Sequence, residues 1–460
     1  MKLDVDVLVL GGGLSGLAVA HGAAKRGASV EVLEAMPRAG GVIGSVLRDG
    51  ALYETGPNSV LDTTPLVNEH LDALGIRAER TDASPVAATR YIVRAGRLLP
   101  LPTSPNALLT SHAFSLGAKW RLWREPFVAP LPSTVEESIA AFVRRRLGIE
   151  ILDYAVDPFV SGVYAGDPER ISMPAAFPQI HAIEQKHGSV IKGMFREARE
   201  RRRSGNTQRS RGSFSFRGGM QTLTDALARN AGRITTRARA QDIQRGVDGE
   251  WTVSALRDGE TFERRAKVLI VALPAYEAGR LMLELAPPAA QALAAIDYAP
   301  VASVATLYRR ADVEHSLDGF GFLVPARERR RILGTLFSSS LFEGRAPPDN
   351  VLLTSFVGGV RHPDLVSQTD SETAGIVRGE LESLLGVHGE PLLVAVTRWT
   401  RAIPQYNLGH RERLLSVDEA ERILPGLLFC ANYRGGVSVG DCIKSAHATT
   451  DAALRLLGAG

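Results

Sequence analysis

From Asp6 to Leu10 the chain is apolar and β-branched, then it turns on Gly11, Gly13 and Gly16, runs with helical spacing to about Arg26, and re-enters an apolar run in ASVEVLEA. That order of patterns predicts strand, tight turn, helix, strand. Downstream, FRGGMQTLTDALARNAG reads as a loop and helix, ARAQDIQRGVDGEWTVSAL as a hairpin, and AKVLIVALP as a strand buried on both faces of a parallel sheet. The stretch Leu99 to Ser213 lacks strand alternation. Its TVEESIAAFVRRRLGIEILDYAVDPFV segment places Val135, Ile139, Phe142 and Val143 on one helical face. From about Tyr298 to Trp399 strands return as VASVATLYRR, GFGFLVPA, ILGTLFSSSLF, VLLTSFVGG and LLVAVTRW, interrupted by one helix around Ser371 to Leu385. The ending LPGLLFCANYRGGVSVGDCIKSAHATTDAALRLL goes back to strand, glycine turn and helix, so a nucleotide-binding domain is expected to be built from pieces far apart in sequence.

Composition narrows the class. A chain of 460 residues exceeds what one growing core holds, so two or three domains are expected. No run approaches the roughly 18 apolar residues that a membrane span needs. The opening MKLDVDVLVLGGG enters a strand with no room for a signal segment, which points to a cytoplasmic location. Cys430 and Cys442 are too few for a disulfide framework or a thiolate zinc site, and the ten histidines are scattered, so no metal is expected. The net charge of +4 comes from an arginine-rich surface. Its densest run, Arg201 to Ser213, has no interleaved aromatics and reads as a solvated loop, not as a contact for nucleic acid.

The glycine spacing carries the first chemistry. Gly11 permits the tight turn, Gly13 lets the backbone approach a pyrophosphate, and Gly16 allows close helix packing, while the helix N-terminus faces the anion. Glu34, at the end of the second strand, is placed to accept hydrogen bonds from a ribose. Arg38 with Gly40 and Gly41 forms a second close-approach turn, of the kind a longer, enclosed cofactor uses. In RGGVSVGDCIKSA, Gly435, Gly436 and Gly440 precede a helix expected to begin near Asp441, whose positive end would favour negative charge on a reduced ring. Two such helix starts at opposite ends of one chain point to FAD.

These residues, together with GGGLSGL, RAGG, FRGGMQTL, ETGPNSV, SGVYAGDPERISM, GTLFSSSLFEGRAP and IPQYNLGH, carry a resemblance over essentially the whole chain. The sequence resembles the protoporphyrinogen oxidase family, in the flavoprotein superfamily that includes monoamine oxidases and phytoene desaturases. The resemblance implies an α/β fold: a Rossmann-like FAD-binding domain assembled from 1–82, 213–290 and 396–460, an α+β substrate-binding domain from 83–98 and 291–395, and a helical inserted domain from 99–212. It implies non-covalent FAD held by Gly11, Gly12, Gly13, Leu14, Ser15 and Gly16, by Glu34 and Ala35, by Arg38, Gly40 and Gly41, by Gly56, Pro57, Asn58 and Ser59, by Ala240 and Trp399, and by Val437, Ser438 and Val439. Ala240 departs from the branched residue the family usually has. The implied substrate pocket comprises Arg90 for a propionate, Asn58 near flavin and macrocycle, and Leu323, Leu336 and Phe356 as apolar walls, a composition suited to a large apolar ring edged with carboxylates.

The implied reaction is six-electron oxidation of protoporphyrinogen IX to protoporphyrin IX in heme biosynthesis, by hydride transfer from a methylene bridge to the flavin N5, with three dioxygen molecules reduced to hydrogen peroxide. No side chain is assigned as a base. Asn58 cannot act as one, and His181, His187 and His410 have no claim in the sequence. The alternatives are coproporphyrinogen III oxidation, whose four propionates would call for more cations than the sequence can place from Arg94, Arg97 and Arg361, and another amine oxidase or desaturase. A flavin-containing carrier that delivers porphyrin without oxidising it is the non-enzymatic alternative. The segment ALLTSHAFSLGAKWRLWREPF, which mixes Leu108, Leu109, Phe114, Trp120 and Trp123 with basic residues, leaves two readings open: helices packed on the core, or peripheral contact with the cytoplasmic membrane face. A homodimer and hand-off to a ferrochelatase complete the expectations.

Overall fold

The computed structural model describes residues 3–62, 64–102, 111, 113–203 and 212–458; Leu108, Leu109 and most of the arginine-rich run expected as a solvated loop lie outside them. Among the described residues two seven-stranded sheets set the architecture. The first runs in the order Arg233–Thr235, Val30–Leu33, Val5–Leu10, Glu260–Val271, Trp251–Arg257, Ala238–Arg245, with Leu427–Phe429 also pairing to Glu260–Val271. The strand Glu260–Val271 serves two neighbourhoods. Its first half, ETFERRA, pairs antiparallel with Trp251–Arg257, and its second half, AKVLIV, pairs in parallel with Val5–Leu10 and Leu427–Phe429. The change from polar alternation to a continuous apolar run marks where the strand passes under helices on both faces. The helices Leu14–Lys25 and Val439–Gly458 share one of those faces, packed through Leu17, Val19, Ile443 and Ala446.

The second sheet runs Leu393–Pro404, Tyr298–Arg309, Asn350–Gly358, Ile332–Leu336, Gly321–Leu323, Tyr91–Arg94, Arg97–Pro100. Its outer face, with Val93, Val304, Phe322, Val324 and Leu353, is covered by the helix Asp370–Leu385 through Val377 and Leu381. That helix begins in a capping box formed by Thr369 and Glu372. The strand Leu393–Pro404 pairs with Tyr298–Arg309 from Leu393 to Pro404, so the sheet continues past the division at 395 suggested by the sequence, and Trp399 belongs to this second sheet. The division at 290 likewise falls inside the helix Pro287–Ala294.

The inserted region is helical, with helices at Leu116–Arg124, Ile139–Arg146, Pro178–His187 and Val190–Arg203, and an unbroken helical stretch from Ile149 to Tyr164 that widens to a π-helical turn at Leu152–Val156. Val135 does not share the face assigned to it. The Ser138 hydroxyl accepts the Ala141 N–H and starts the helix at Ile139, leaving Val135 exposed before it. The region is pinned from inside by Arg146, fully buried, which donates to Glu125 at 2.8 Å and to Glu184 at 2.6 Å.

Candidate functional site

The three glycines of the first turn are required by different neighbours. A side chain on Gly11 would meet the Ala272 carbonyl oxygen at 2.6 Å, and its φ of +100° disfavours any other residue. One on Gly16 would overlap the Gly11 carbonyl oxygen, so this glycine is what lets the helix Leu14–Lys25 sit against its own turn. Gly13 differs: the nearest protein atom to an added Cβ is the Gly41 Cα at 3.9 Å, and its backbone is extended. The protein itself leaves room there. The Gly40 N–H donates to the Gly12 carbonyl at 2.7 Å and joins the second glycine turn to the first. Arg38 braces that turn by donating to the carbonyls of Ala39 and Ile43. Glu34 is buried, accepting the N–H of Gly12 and the N–H of Met36, both at 2.7 Å, which aims its carboxylate into the same turn, while Ala35 beside it is exposed. Leu14 and Ser15 form the first helical residues above it.

Gly56, Pro57, Asn58 and Ser59 form a half-buried segment beside this turn. It is held by the Trp399 Nε1–H, which donates to the Thr55 carbonyl at 2.6 Å, and by the Asn58 amide, which donates to the Gly56 carbonyl. Just before it, Glu54 is almost fully buried and accepts from the Ser45 hydroxyl, the Met220 N–H and Arg345, whose second nitrogen donates to the Ser215 hydroxyl. Burial pushes the Glu54 carboxyl above its ordinary range, against the pull of Arg345. Ala240 lies in the core with Leu10 and Leu33, and its carbonyl accepts from Arg280. The strand carrying it starts beside Glu34, whose carbonyl accepts the Ala238 N–H.

At the C-terminal element the helix begins at Val439, two residues ahead of Asp441. The Ser438 hydroxyl accepts the Asp441 N–H and donates to its carboxylate, a reciprocal cap that opens the helix there. Val437 is half-buried and Ser438 exposed. The glycine loop before them hangs on Tyr406, whose hydroxyl accepts the Gly436 N–H at 3.0 Å and donates to the Asn432 carbonyl at 2.7 Å. His410 stacks on that ring with centroids 4.2 Å apart and reaches the Tyr433 carbonyl through Nε2. Burial lowers its pKa to about 4, so the ring is neutral and acts as a brace.

The inner face of the second sheet collects the predicted pocket residues. Leu323 pairs with Gly334 and Gly334 with Phe356, while Leu336 follows two residues on, so all three apolar walls point the same way, each partly exposed. Leu336 and Asn58 line one small cavity with Leu52, Glu54 and Arg345. Arg90 is exposed, has no carboxylate partner among the described residues, and lies 5.1 Å over the Phe320 ring, which itself packs near Leu336. Arg94 pairs with Glu150 and Arg361 with Asp157, and Arg97 sits at the exposed tip of the edge hairpin. Two contributors escaped sequence reasoning. Gly162 packs so closely that a Cβ would meet Leu323 at 2.8 Å, and the Glu54–Arg345 pair ties the two-stranded ribbon of Ser45–Arg48 and Ala51–Glu54 to the loop that precedes the strand Asn350–Gly358. Both lie in stretches, SGVYAGD and FEGRAP, that stand out in the sequence, but a buried pair across such a separation leaves no periodic signal.

The profile of the family described as flavin containing amine oxidoreductase matches residues 14–454. A protoporphyrinogen oxidase of Arabidopsis thaliana is 35% identical over 98% of this chain and 94% of its own. The chain belongs to the flavin containing amine oxidoreductases, and among them to the protoporphyrinogen oxidase family. A coproporphyrinogen III oxidase of Bacillus subtilis is 29% identical over 98% of both chains. A provisionally assigned protoporphyrinogen oxidase from Exiguobacterium shares the fold, with TM-score 0.81 at 23% identity over 99% of this chain and 100% of its own.

As a member of this family the protein is an FAD-dependent oxidase. The residues present fit that cofactor: the space beside Gly13, where no described protein atom comes closer than 3.9 Å to an added Cβ, the inward carboxylate of Glu34, and the first N–H groups of the helix that opens at Val439, which have no acceptor within their own helix. Bound FAD supplies a two-electron acceptor that dioxygen can re-oxidise.

Proposed function

We propose that this protein oxidises protoporphyrinogen IX to protoporphyrin IX in heme biosynthesis, removing six electrons in three rounds while three dioxygen molecules are reduced to three hydrogen peroxide. The observation that carries this is a guanidinium, Arg90, without a carboxylate partner among the described residues, at the edge of a partly exposed apolar face, in a chain 35% identical to a protoporphyrinogen oxidase. Leu323, Leu336 and Phe356 would lie against the macrocycle, and the planar fork of Arg90 would grip one propionate. Asn58 would orient the ring from the opposite wall, since its amide donates to Gly56 and cannot take a proton. The pyrrole N–H protons pass to solvent in this scheme, which needs no basic side chain. Aerobic incubation with protoporphyrinogen IX and with coproporphyrinogen III, following porphyrin fluorescence, tests it: faster oxidation of the first supports the reading, and oxidation of neither overturns it. Coproporphyrinogen III is the second reading, favoured by the Bacillus subtilis relative.

The same proposal places the helical region on the cytoplasmic membrane face. Leu116, Trp120, Trp123 and Phe127 are exposed, Trp123 packs 6.2 Å from Phe127, and Arg124 and Lys192 lie over Trp120 and Phe127, an apolar and cationic mixture suited to an anionic interface. Among the described residues no helix is long and apolar enough to cross a membrane. Sedimentation with anionic vesicles should carry the protein down, and Trp123→Ser with Phe127→Ser should leave it in the supernatant; binding that survives the double substitution refutes this placement.

A further inference from the structure

The helical stretch Ile149 to Tyr164 meets the second sheet and the turns that follow two of its strands through three acids, and each takes an arginine. Glu150 receives Arg94 at 2.8 Å, Asp153 receives Arg327 at 2.7 Å, and Asp157 receives Arg361. Arg94 is committed further, to the Ala113 carbonyl and to the face of the Tyr154 ring at 4.3 Å. Asp157 also accepts the Ala326 N–H at 2.8 Å, just beyond Leu323. The same stretch ends in the segment where Gly162 touches Leu323, so these pairs sit at the margin of the apolar face.

Register places the arginines relative to the walls. Arg90, Ile92 and Arg94 alternate onto one side, and Ile92 is the partner of Leu323. Arg90 and Arg94 therefore stand about 13 Å apart along one strand direction, on the scale of a tetrapyrrole. Of Arg90, Arg94, Arg327 and Arg361, Arg90 alone lacks a carboxylate partner among the described residues. Burial works to raise the Glu150 carboxyl, but the Ser115 hydroxyl and N–H and Arg94 outweigh it and hold it below its ordinary value, so the masking acid stays charged.

We propose that Glu150 and Asp157 are specificity determinants: by engaging Arg94 and Arg361 they leave, of the four arginines at this margin, Arg90 alone without a carboxylate among the described residues, which disfavours a porphyrinogen carrying four carboxylates relative to one carrying two. A further carboxylate brought to this margin would meet a guanidinium already neutralised and an acid of its own sign, and it would lose hydration with nothing in return. This inference rests on the reading that a porphyrinogen is the substrate.

The test compares kcat/KM for protoporphyrinogen IX and coproporphyrinogen III in the FAD-loaded wild type, Glu150→Gln and Asp157→Asn, with flavin absorbance and thermal melting as checks on folding. The expected result is a ratio that moves at least fivefold toward coproporphyrinogen in each variant, mainly through its KM, and that returns when Arg94→Gln is added to Glu150→Gln. A merely structural role would not produce that reversal. Wild-type protein that oxidises neither compound overturns the functional reading, whereas wild type that prefers protoporphyrinogen with a ratio unmoved by more than twofold in the folded variants overturns the masking alone. If Asp157→Asn does not accumulate, Glu150→Gln and its reversal decide the matter.

Discussion

Gly13 offers the sharpest separation between what the fold needs and what the cofactor needs. In the protein alone, an added Cβ meets nothing closer than 3.9 Å, and the backbone at φ −74° and ψ −179° suits any residue. Gly13→Ala therefore changes stability through two small opposing effects, a poorer helix cap and a less flexible unfolded chain, each about 1 kcal/mol or less. The methyl group would nevertheless stand between the turn and any anion approaching its N–H groups. Losing one charge-assisted hydrogen bond there costs about 1.5 to 3 kcal/mol, roughly a 10- to 150-fold rise in the Kd for FAD. Gly16→Ala is the contrasting case, because its Cβ would overlap the Gly11 carbonyl and force the helix outward, an overpacking cost of about 1 to 3 kcal/mol in the fold itself. Flavin-fluorescence titration of the apoproteins, with thermal melting of the same samples, distinguishes them. Wild-type FAD affinity in Gly13→Ala, or a melting temperature as depressed as that of Gly16→Ala, would refute the assignment of this space to the cofactor.

Arg90→Ala should retain FAD yet lose about 10- to 150-fold in kcat/KM for the porphyrinogen, measured by product fluorescence; unchanged kinetics would remove Arg90 from the site. Arg345→Met strands Glu54 in the core and should cost about 3 to 5 kcal/mol in denaturant unfolding, with much of that recovered when Glu54→Leu is added. His410 has its folded pKa depressed to about 4 from the usual 6.5, so the unfolded chain binds the proton first as pH falls. Its contribution is complete above about pH 6.5 and is lost progressively toward pH 4, on the order of 3 kcal/mol. Melting curves between those limits should therefore fall more steeply for the wild type than for His410→Gln.

The strand, glycine turn and helix were legible in the sequence because the Gly11, Gly13 and Gly16 spacing is a short-range signal, whereas the neighbour that crowds Gly11, Ala272, lies far along the chain and leaves no mark in it. The hairpin Ala238 to Arg257 was legible for the same reason, since alternation and a glycine turn are short-range signals. The start of the last helix lies within two residues of the position expected, and its exact place is set by Ser438 and Asp441, which have the spacing of a reciprocal cap. Val135 fits the helical period and still lies outside the helix, because Ser138 caps in front of it and periodicity carries no mark of where a helix opens. The arginine partners were beyond reach. Arg94 and Glu150 lie 56 residues apart and Arg361 and Asp157 lie 204 apart, so nothing local records which carboxylate each guanidinium meets.

The positions of the two sheets follow from how the first one is wound. The strands ending at Leu10 and Phe429 flank the strand ending at Val271 and run parallel to it, so the glycine turns that follow them emerge at the same edge although one belongs to each end of the chain. A cofactor laid across that edge meets both helix N-termini, as ligands of open parallel sheets do. The second sheet reaches the same edge by a different route: Trp399 donates to the Thr55 carbonyl, and Arg345 reaches across to Glu54. Thr55 and Glu54 directly precede Gly56 to Ser59, so this segment is fixed by Trp399 of the sheet that bears Leu323, Leu336 and Phe356, and by Arg345 from a loop between two of its strands. A shift of that sheet by even an ångström would move Asn58 with it, so the placement of Asn58 relative to the apolar face of Leu323, Leu336 and Phe356 is held by these two contacts, made by residues far from it in sequence.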